Sequence, residues 1–350
     1  MPEPGPSDPF AQMLADSPAL FPHALDPGTG AVTLIRLSEA DLQRASFLDE
    51  TLRAPGVLSR TVSWDQLERA AAGLAESCGF IFHIGHAGST LLSRLLGAHP
   101  RILSLREPAV LRVLAQLDAE PEAAGWRPGD AQARLPTVVK LLSRRFAPDR
   151  IPLVKATSYA SELADALTAR PYGPRAIFLS VRPENFLATI LAGENSPAEA
   201  QRLAPSRLKR LARRLGPLPW QADALSIGET VAMGWACEMT ALTLAAESAG
   251  ARVLWLDFDR VLADPHAELA RCFEHLSVEA NAMDVAAILA GPDMTRYSKA
   301  PEHPYDAAAR ARALDTARGK AGEEIARGLA WLESAAAQVP AIRTAVDLSI

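Results

Sequence analysis

The stretch from Phe80 to Gly97 constrains this chain more than any other. An apolar, β-prone run, Phe80 to Ile84, meets a turn containing Gly85 and Gly88. Ser89 and Thr90 then open a helical pattern that carries Leu91, Leu92, Leu95 and Leu96. The order is strand, loop, helix. A helix that starts directly after a glycine turn points free N–H groups and the positive end of its dipole into the loop, which suits a phosphate or sulfate. Gly88 lacks a Cβ and would let an anion approach the backbone. The same spacing also fits an ordinary βα unit with a small-residue turn.

The remaining chain repeats the alternation. Ile102–Leu105, Pro152–Lys155, Ala176–Val181 and Arg252–Leu256 are short continuous apolar runs, with helical patterns between or after them. Runs of this kind suit parallel strands covered on both faces. The expected fold class is α/β: a doubly wound, mainly parallel five-stranded sheet flanked by helices, with a helical insertion at about 195–220 and a helical C-terminus. Ligands of such sheets bind beyond the carboxyl ends of the strands. Gly85 to Thr90, Glu107, Lys155 and Arg182 all stand at or just after predicted strand ends, so one crevice would gather them.

Residues 1–62 read as a partly irregular N-terminal arm, 63–305 as the α/β domain and 306–350 as C-terminal helices packed on it. Residues 1 to about 30, rich in Pro, Gly and Asp, favour loops and polyproline over packed elements. Ala31–Leu37 is a strand candidate, Ser38 an N-cap, and a helix is expected from Ser63. Residues 201–215 hold Arg202, Arg207, Lys209, Arg210, Arg213 and Arg214 and break at Gly216-Pro217. They read as a solvated basic helix face, or as a lid offering positive charge to an anion. Residues 226–248 predict a long buried helix containing Trp235 and Glu238. The segment 307–337 predicts one or two surface helices.

Composition removes several functions. With 350 residues, 49% hydrophobic and 22% charged, the chain has the makeup of a globular protein with a large core. Its net charge of −5 argues against general affinity for nucleic acid or anionic membranes, so any anion site is local. Cys78, Cys237 and Cys272 are too scattered for a disulfide framework or a CxxC metal site. The first residues do not read as a secretory signal and no run reaches a membrane span, so a cytoplasmic location is expected.

Known loop chemistries fail residue by residue. Ser89 stands where an NTP-binding loop needs Lys after its glycine, a third glycine for a dinucleotide fingerprint is missing, and Gly85 to Ser89 is no hydrolase elbow. His83 and His86 lack partners for a zinc site, and no metal is expected.

Ala87-Gly-Ser-Thr-Leu-Leu92, followed by His99-Pro100 and Glu107-Pro108, resembles the sulfotransferases that use 3′-phosphoadenylyl sulfate (PAPS), nearest to their bacterial and Golgi types. Lys155, the element Val181-Arg-Pro-Glu-Asn-Phe-Leu-Ala-Thr189 and the strand and turn Leu256 to Pro265 continue the resemblance in order, over roughly residues 79 to 305. It implies a P-loop-NTPase-like fold and sulfuryl transfer to a hydroxyl or amine acceptor, the acceptor itself unidentified. It also implies a 5′-phosphosulfate site at His86, Ala87, Gly88, Ser89 and Thr90, and a 3′-phosphate site at Arg182 and Thr189. The Arg182 element is one residue short of the usual form, hence Thr189 rather than Ile190.

Further roles follow from the resemblance. Glu107 would be the general base, as an acidic residue is in tyrosylprotein sulfotransferases, and Lys155 would stabilise the charge on the transferring group. Tyr297 and Lys299, in the loop Arg296 to Tyr305, would cover the nucleotide. His86 replaces the family's Lys or Arg, so it is expected to be protonated while binding, with activity falling as pH rises through its pKa. Local alternatives are a capping Thr90, Arg182 paired with Glu184, Glu107 paired with Arg106 or Arg112, and residues 296–305 as a plain connector. A small-molecule or nucleotide kinase and a non-catalytic nucleotide-binding module remain the rival functions, and a homodimer is compatible with the apolar content.

Overall fold

Three antiparallel strands come first in the computed structural model, which describes residues 9–53, 56–169, 175–299 and 302–349. They are β1 (Leu20–Leu25), β2 (Val32–Arg36) and β3 (Ser59–Val62), in that order across the sheet. Their presence, with the helix Pro9–Asp16, corrects the expectation of loops and polyproline before residue 30. Phe10, Leu14, Phe21 and Leu25 are buried, so scattered apolar residues anchor a segment whose composition reads as irregular. The prolines fit because of where they fall. Pro9 takes the first helical position, and Pro22 sits on edge strand β1 where the register shifts around His23. Residues 1–8 of the proline-rich opening lie outside the described residues.

The main sheet contains β4 (Gly79–His83), β5 (Ile102–Arg106), β6 (Ile151–Lys155), β7 (Ala176–Ser180) and β8 (Val253–Asp257). Its order is β5-β6-β4-β7-β8 and every neighbouring pair is parallel, as the alternating pattern predicts. β4, β5 and β7 are buried at all five positions, which is why they read as unbroken apolar runs. From β4 the chain moves toward β5, whereas from β7 it moves toward β8. Right-handed crossovers send those two connections to opposite faces, opening a crevice between the ends of β4 and β7.

Serine caps fix several helix starts. Ser38, Ser63 and Ser226 each form a capping box, opening helices Glu39–Arg44, Trp64–Ala71 and Ile227–Ala249. Buried Arg106 on β5 donates to the carbonyls of Leu42, Gln43 and Ala45 and so fastens the N-terminal segment to the main sheet. The helix Ala307–Gln338, with a break from helical geometry at Ala321, lies on the surface and buries one face. Gly228 and Gly328 let it touch Ile227–Ala249 backbone to backbone: a Cβ on Gly228 would stand 1.9 Å from the Glu324 carbonyl oxygen.

The basic run lies on the helix Ser196–Leu215, and it is divided: Arg202, Lys209 and Arg213 face water, as a solvated face would, whereas Arg207, Arg210 and Arg214 are turned inward. Arg210, 3% exposed, donates to Glu238 at 2.6 Å and to Glu162 at 3.2 Å. Arg214 pairs with Glu162, and Arg213 reaches both Asp118 and Glu162. Ser161 adds a 2.6 Å hydrogen bond to Glu238. Burial pushes the Glu238 carboxyl up, yet Arg210 and Arg207 outweigh it and hold the pKa below the ordinary value. Glu238 thus contributes stability that is present above the unfolded carboxyl pKa and is lost as pH falls through the lower folded one. Breaking such a pair on one side strands a buried charge and costs about 3–5 kcal/mol. Glu238→Gln should lower the urea-unfolding free energy by about that amount; a loss below about 1 kcal/mol, typical of exposed pairs, would contradict a buried network.

Candidate active site

The loop after β4 is held by its backbone and by one histidine. Gly85, His86 and Gly88 have φ of 81°, 47° and 70°, all left-handed. His83, fully enclosed, accepts at Nδ1 from the Gly85 N–H (3.0 Å), which leaves Nε2–H to donate to the Ala156 carbonyl (2.9 Å). Burial, then the nearby Lys155, keeps His83 well below the ordinary histidine pKa and neutral. The ring braces the loop against the end of β6.

Gly88 is required for a reason other than the expected one. A Cβ there would stand 2.0 Å from the Phe258 ring, so the space beside the Cα is filled by an aromatic side chain instead of being open to an anion. An anion can still meet the loop through N–H groups. Gly88 is the N-cap of the helix Ser89–Gly97 and makes no side-chain cap, so the first-turn donors are not closed off by a side chain. Ala87, Ser89 and Thr90 are buried, and the Thr90 hydroxyl has no hydrogen-bond partner among the described residues. The Thr157 hydroxyl, just past β6, is likewise buried and unpartnered among them. A Cβ on Gly85 would touch the neighbouring Ser158, so both orphan hydroxyls lie by the same loop. Buried polar atoms are ordinarily satisfied, and an unsatisfied pair beside a helix N-terminus fits a ligand with oxygen acceptors.

Glu107 and Lys155 end adjacent strands, and the structure joins them in an ion pair. Neither Arg106 nor Arg112 takes that place. The Glu107 N–H donates to the Lys155 carbonyl at 2.6 Å, while Glu107 itself holds a φ of 55°, a rare state for a residue with a side chain. The carboxylate is 23% exposed and the ammonium 1%, with the Phe47 ring 5.3 Å from the latter. Burial pushes the Lys155 pKa down and Glu107 pulls it part of the way back. Glu107 therefore meets the crevice, and Lys155 reaches it through Glu107.

Arg182 follows β7 and is 58% exposed, 3.9 Å from Asp259. It is not paired with Glu184, which Arg318 takes at 2.8 Å. Asp259 also accepts from Asn185 (2.7 Å) and from Arg310 (2.6 Å), whose guanidinium stands over Phe258. Thr189 lies further along the helix Pro183–Ala192, and its hydroxyl proton goes to the Asn185 carbonyl at 2.7 Å. It retains acceptor capacity only.

The late loop is drawn over this edge. Arg94, on the helix after the glycine loop, donates to the Ser298 carbonyl at 2.8 Å. Lys299 is exposed and close enough for its charge to act on His83, His86 and Lys155. Tyr297 is 41% exposed and meets Tyr305 edge to face at 5.5 Å. Ala300 and Pro301 of that loop lie outside the described residues.

His86 reaches solvent while protein atoms crowd it, as at the floor of an open crevice. That crowding, then the charges of Lys299 and Arg207, lowers its pKa to about 4. Without a ligand, position 86 brings no positive charge at neutral pH; the protonated state expected of it belongs to the anion-bound site. Arg310 and Thr157 are site neighbours that no motif flags; Phe258 and Asp259 fall within the element Leu256 to Pro265, and Arg207 within the basic run, with no role assigned to them from sequence. Phe258 and Thr157 each stand two residues past a predicted strand end, the one local signal they carry.

No protein-family model and no curated protein matches the sequence. Among solved structures, the chain is similar to the sulfotransferase domain from the curacin biosynthetic pathway, with 16% identity, 67% of this chain and 85% of that chain covered, and a TM-score of 0.42. The sulfotransferase domain from the Synechococcus PCC 7002 olefin synthase is 15% identical over 68% of this chain and 93% of its own, TM-score 0.39. Sulfotransferase STF9 from Mycobacterium avium is 12% identical over 91% and 97%, TM-score 0.36. At these values the likeness assigns neither an activity nor a residue to this chain.

The contact between Gly88 and Phe258 generates a direct test. Gly88→Ala adds a Cβ at positive φ, itself about 1–2 kcal/mol unfavourable, and drives it into the ring. The variant should melt several degrees lower, and adding Phe258→Ala should return part of that loss relative to Phe258→Ala alone. Strictly additive losses would show that the two residues do not press on each other.

Proposed function

We propose that this chain is a sulfotransferase that takes a sulfuryl group from PAPS and passes it to a hydroxyl or amine acceptor. The observation that carries the reading is the arrangement at one sheet edge. A helix N-terminus whose Thr90 hydroxyl has no partner among the described residues suits an anion, and a carboxylate, Glu107, follows the end of a strand of the same sheet with its own cation behind it. The ordered motifs running from Ala87 to Pro265 support the same choice of donor.

PAPS supplies a sulfur centre with a phosphate leaving group. Gly88, Ser89 and Thr90 would hold its 5′ side through N–H groups and hydroxyls, and Arg182, with its planar fork of donors, its 3′-phosphate. Lys299, whose charge is felt at His86 and Lys155, would add positive charge. Transfer forms a bond from the acceptor oxygen or nitrogen to sulfur while the bond from sulfur to the bridging oxygen breaks. The acceptor proton goes to Glu107 and the electron pair leaves with the phosphate oxygen. Lys155, enclosed and paired, is a positioning residue for Glu107 rather than a group that touches the donor. Among the described residues no cluster of three metal-ligating side chains is present, and the step as written uses none.

Labelled PAPS offered with a panel of hydroxyl and amine acceptors in a chelator should give sulfated product, and Glu107→Gln should be slower by about 10²–10⁴-fold. Undiminished transfer by that variant removes Glu107 as the base. ATP turnover that needs Mg²⁺, with no sulfate transfer, would favour the kinase reading instead.

A further inference from the structure

Arg207 is distinguished from the other arginines of the buried network by what it lacks. Arg210 and Arg214 are tightly paired through their terminal nitrogens, whereas Arg207 has only its Nε near Glu238, at 3.7 Å and too far for a hydrogen bond; like the Arg210 Nε, it is buried with no hydrogen-bond partner among the described residues. The stronger claim on Glu238 belongs to Arg210 at 2.6 Å. Arg207 is nonetheless fixed in place. Its carbonyl accepts from the Cys237 thiol, and its guanidinium lies against Gly234, where a Cβ would stand 3.1 Å from Nη1. Glycine is unfavourable inside a helix by about 1 kcal/mol against alanine, and here it makes a notch for the guanidinium.

That notch is at the sheet edge where the site lies. The next residue, Trp235, donates from Nε1 to the Val181 carbonyl at 3.1 Å, one residue before Arg182 and just past the end of β7. From the same quarter, the Arg207 charge acts on His86 in the glycine loop. A cation seated in a backbone notch, only loosely claimed by a carboxylate, therefore lies at this sheet edge, near enough to the glycine loop for its charge to act on His86.

We infer that Arg207 supplies a permanent positive charge at the sulfuryl end of the donor site. The inference rests on the PAPS reading above. In the transfer step Arg207 exchanges no proton. It donates hydrogen bonds to sulfuryl oxygens as the bond from sulfur to the phosphate oxygen breaks and the bond to the acceptor forms.

Calorimetry with PAPS and with PAP, which lacks the sulfuryl group, separates the possibilities. Arg207→Gln should weaken PAPS by roughly 10-fold or more beyond its effect on PAP, the loss expected for a hydrogen bond to a charged group. Arg207→Lys should keep most of the PAPS preference. Gly234→Ala favours the helix, displaces the guanidinium, and should move in the same direction as Arg207→Gln by a smaller factor, which covers any loss of fold in the charge variant. The charged or titratable groups acting on or beside His86 are Arg207, Lys299 and His83. With no donor present, the His86 titration followed by NMR should therefore shift upward in Arg207→Gln and stay in place in Arg207→Lys. Wild-type protein that binds neither PAP nor PAPS overturns the donor reading and this inference together. Wild-type protein that binds both, with an unchanged PAPS-to-PAP ratio in Arg207→Gln, overturns the Arg207 assignment alone.

Discussion

Parallel strands cannot return by hairpins, so each must be followed by a crossover, and all their carboxyl ends then lie on one edge. Everything chemical in this molecule depends on that constraint. It places the glycine loop after β4, Glu107 after β5, Lys155 at the end of β6, Arg182 after β7 and Phe258 after β8 beside one another, although they span residues 85 to 258. The order β5-β6-β4-β7-β8 adds the crevice by sending the β4 and β7 connections apart. His83 then sets the loop in shape with two hydrogen bonds to backbone groups.

Around that edge the protein keeps its cations under control by burial and pairing. Lys155 is enclosed behind Glu107, and Arg210, Arg213 and Arg214 are taken up by Glu162, Glu238 and Asp118. Among the described residues, Arg207 and Lys299, like Arg182, are not consumed by close pairing at this edge. A neutral His86 belongs to this arrangement, because burial, and then two neighbouring cations, disfavour a further charge. An anion entering the crevice would reverse that balance.

The sheet is legible in the sequence because buried parallel strands are written as local apolar runs, and the serine caps because they act within three residues. Glu107, Lys155 and Arg182 can be grouped from sequence alone, since one rule about strand ends suffices. Other features are settled by contacts far apart in the chain. The basic helix reads as solvated because its partners lie 28, 48 and 95 residues away. Gly88 reads as an opening for an anion, and only the Phe258 ring 170 positions later shows the space to be filled. The one strand before residue 30, β1, hides behind Pro22, whose acceptability depends on an edge position that no local pattern reports.

The claim that the loop after β4 receives the anionic end of a nucleotide donor is tested most directly by hydrogen exchange. On adding PAP in a chelator, amide exchange in a peptide covering residues 85–92 should slow, because Ser89 and Thr90 N–H groups gain acceptors. Unchanged exchange there, with PAP either unbound or protecting only other segments, would contradict it.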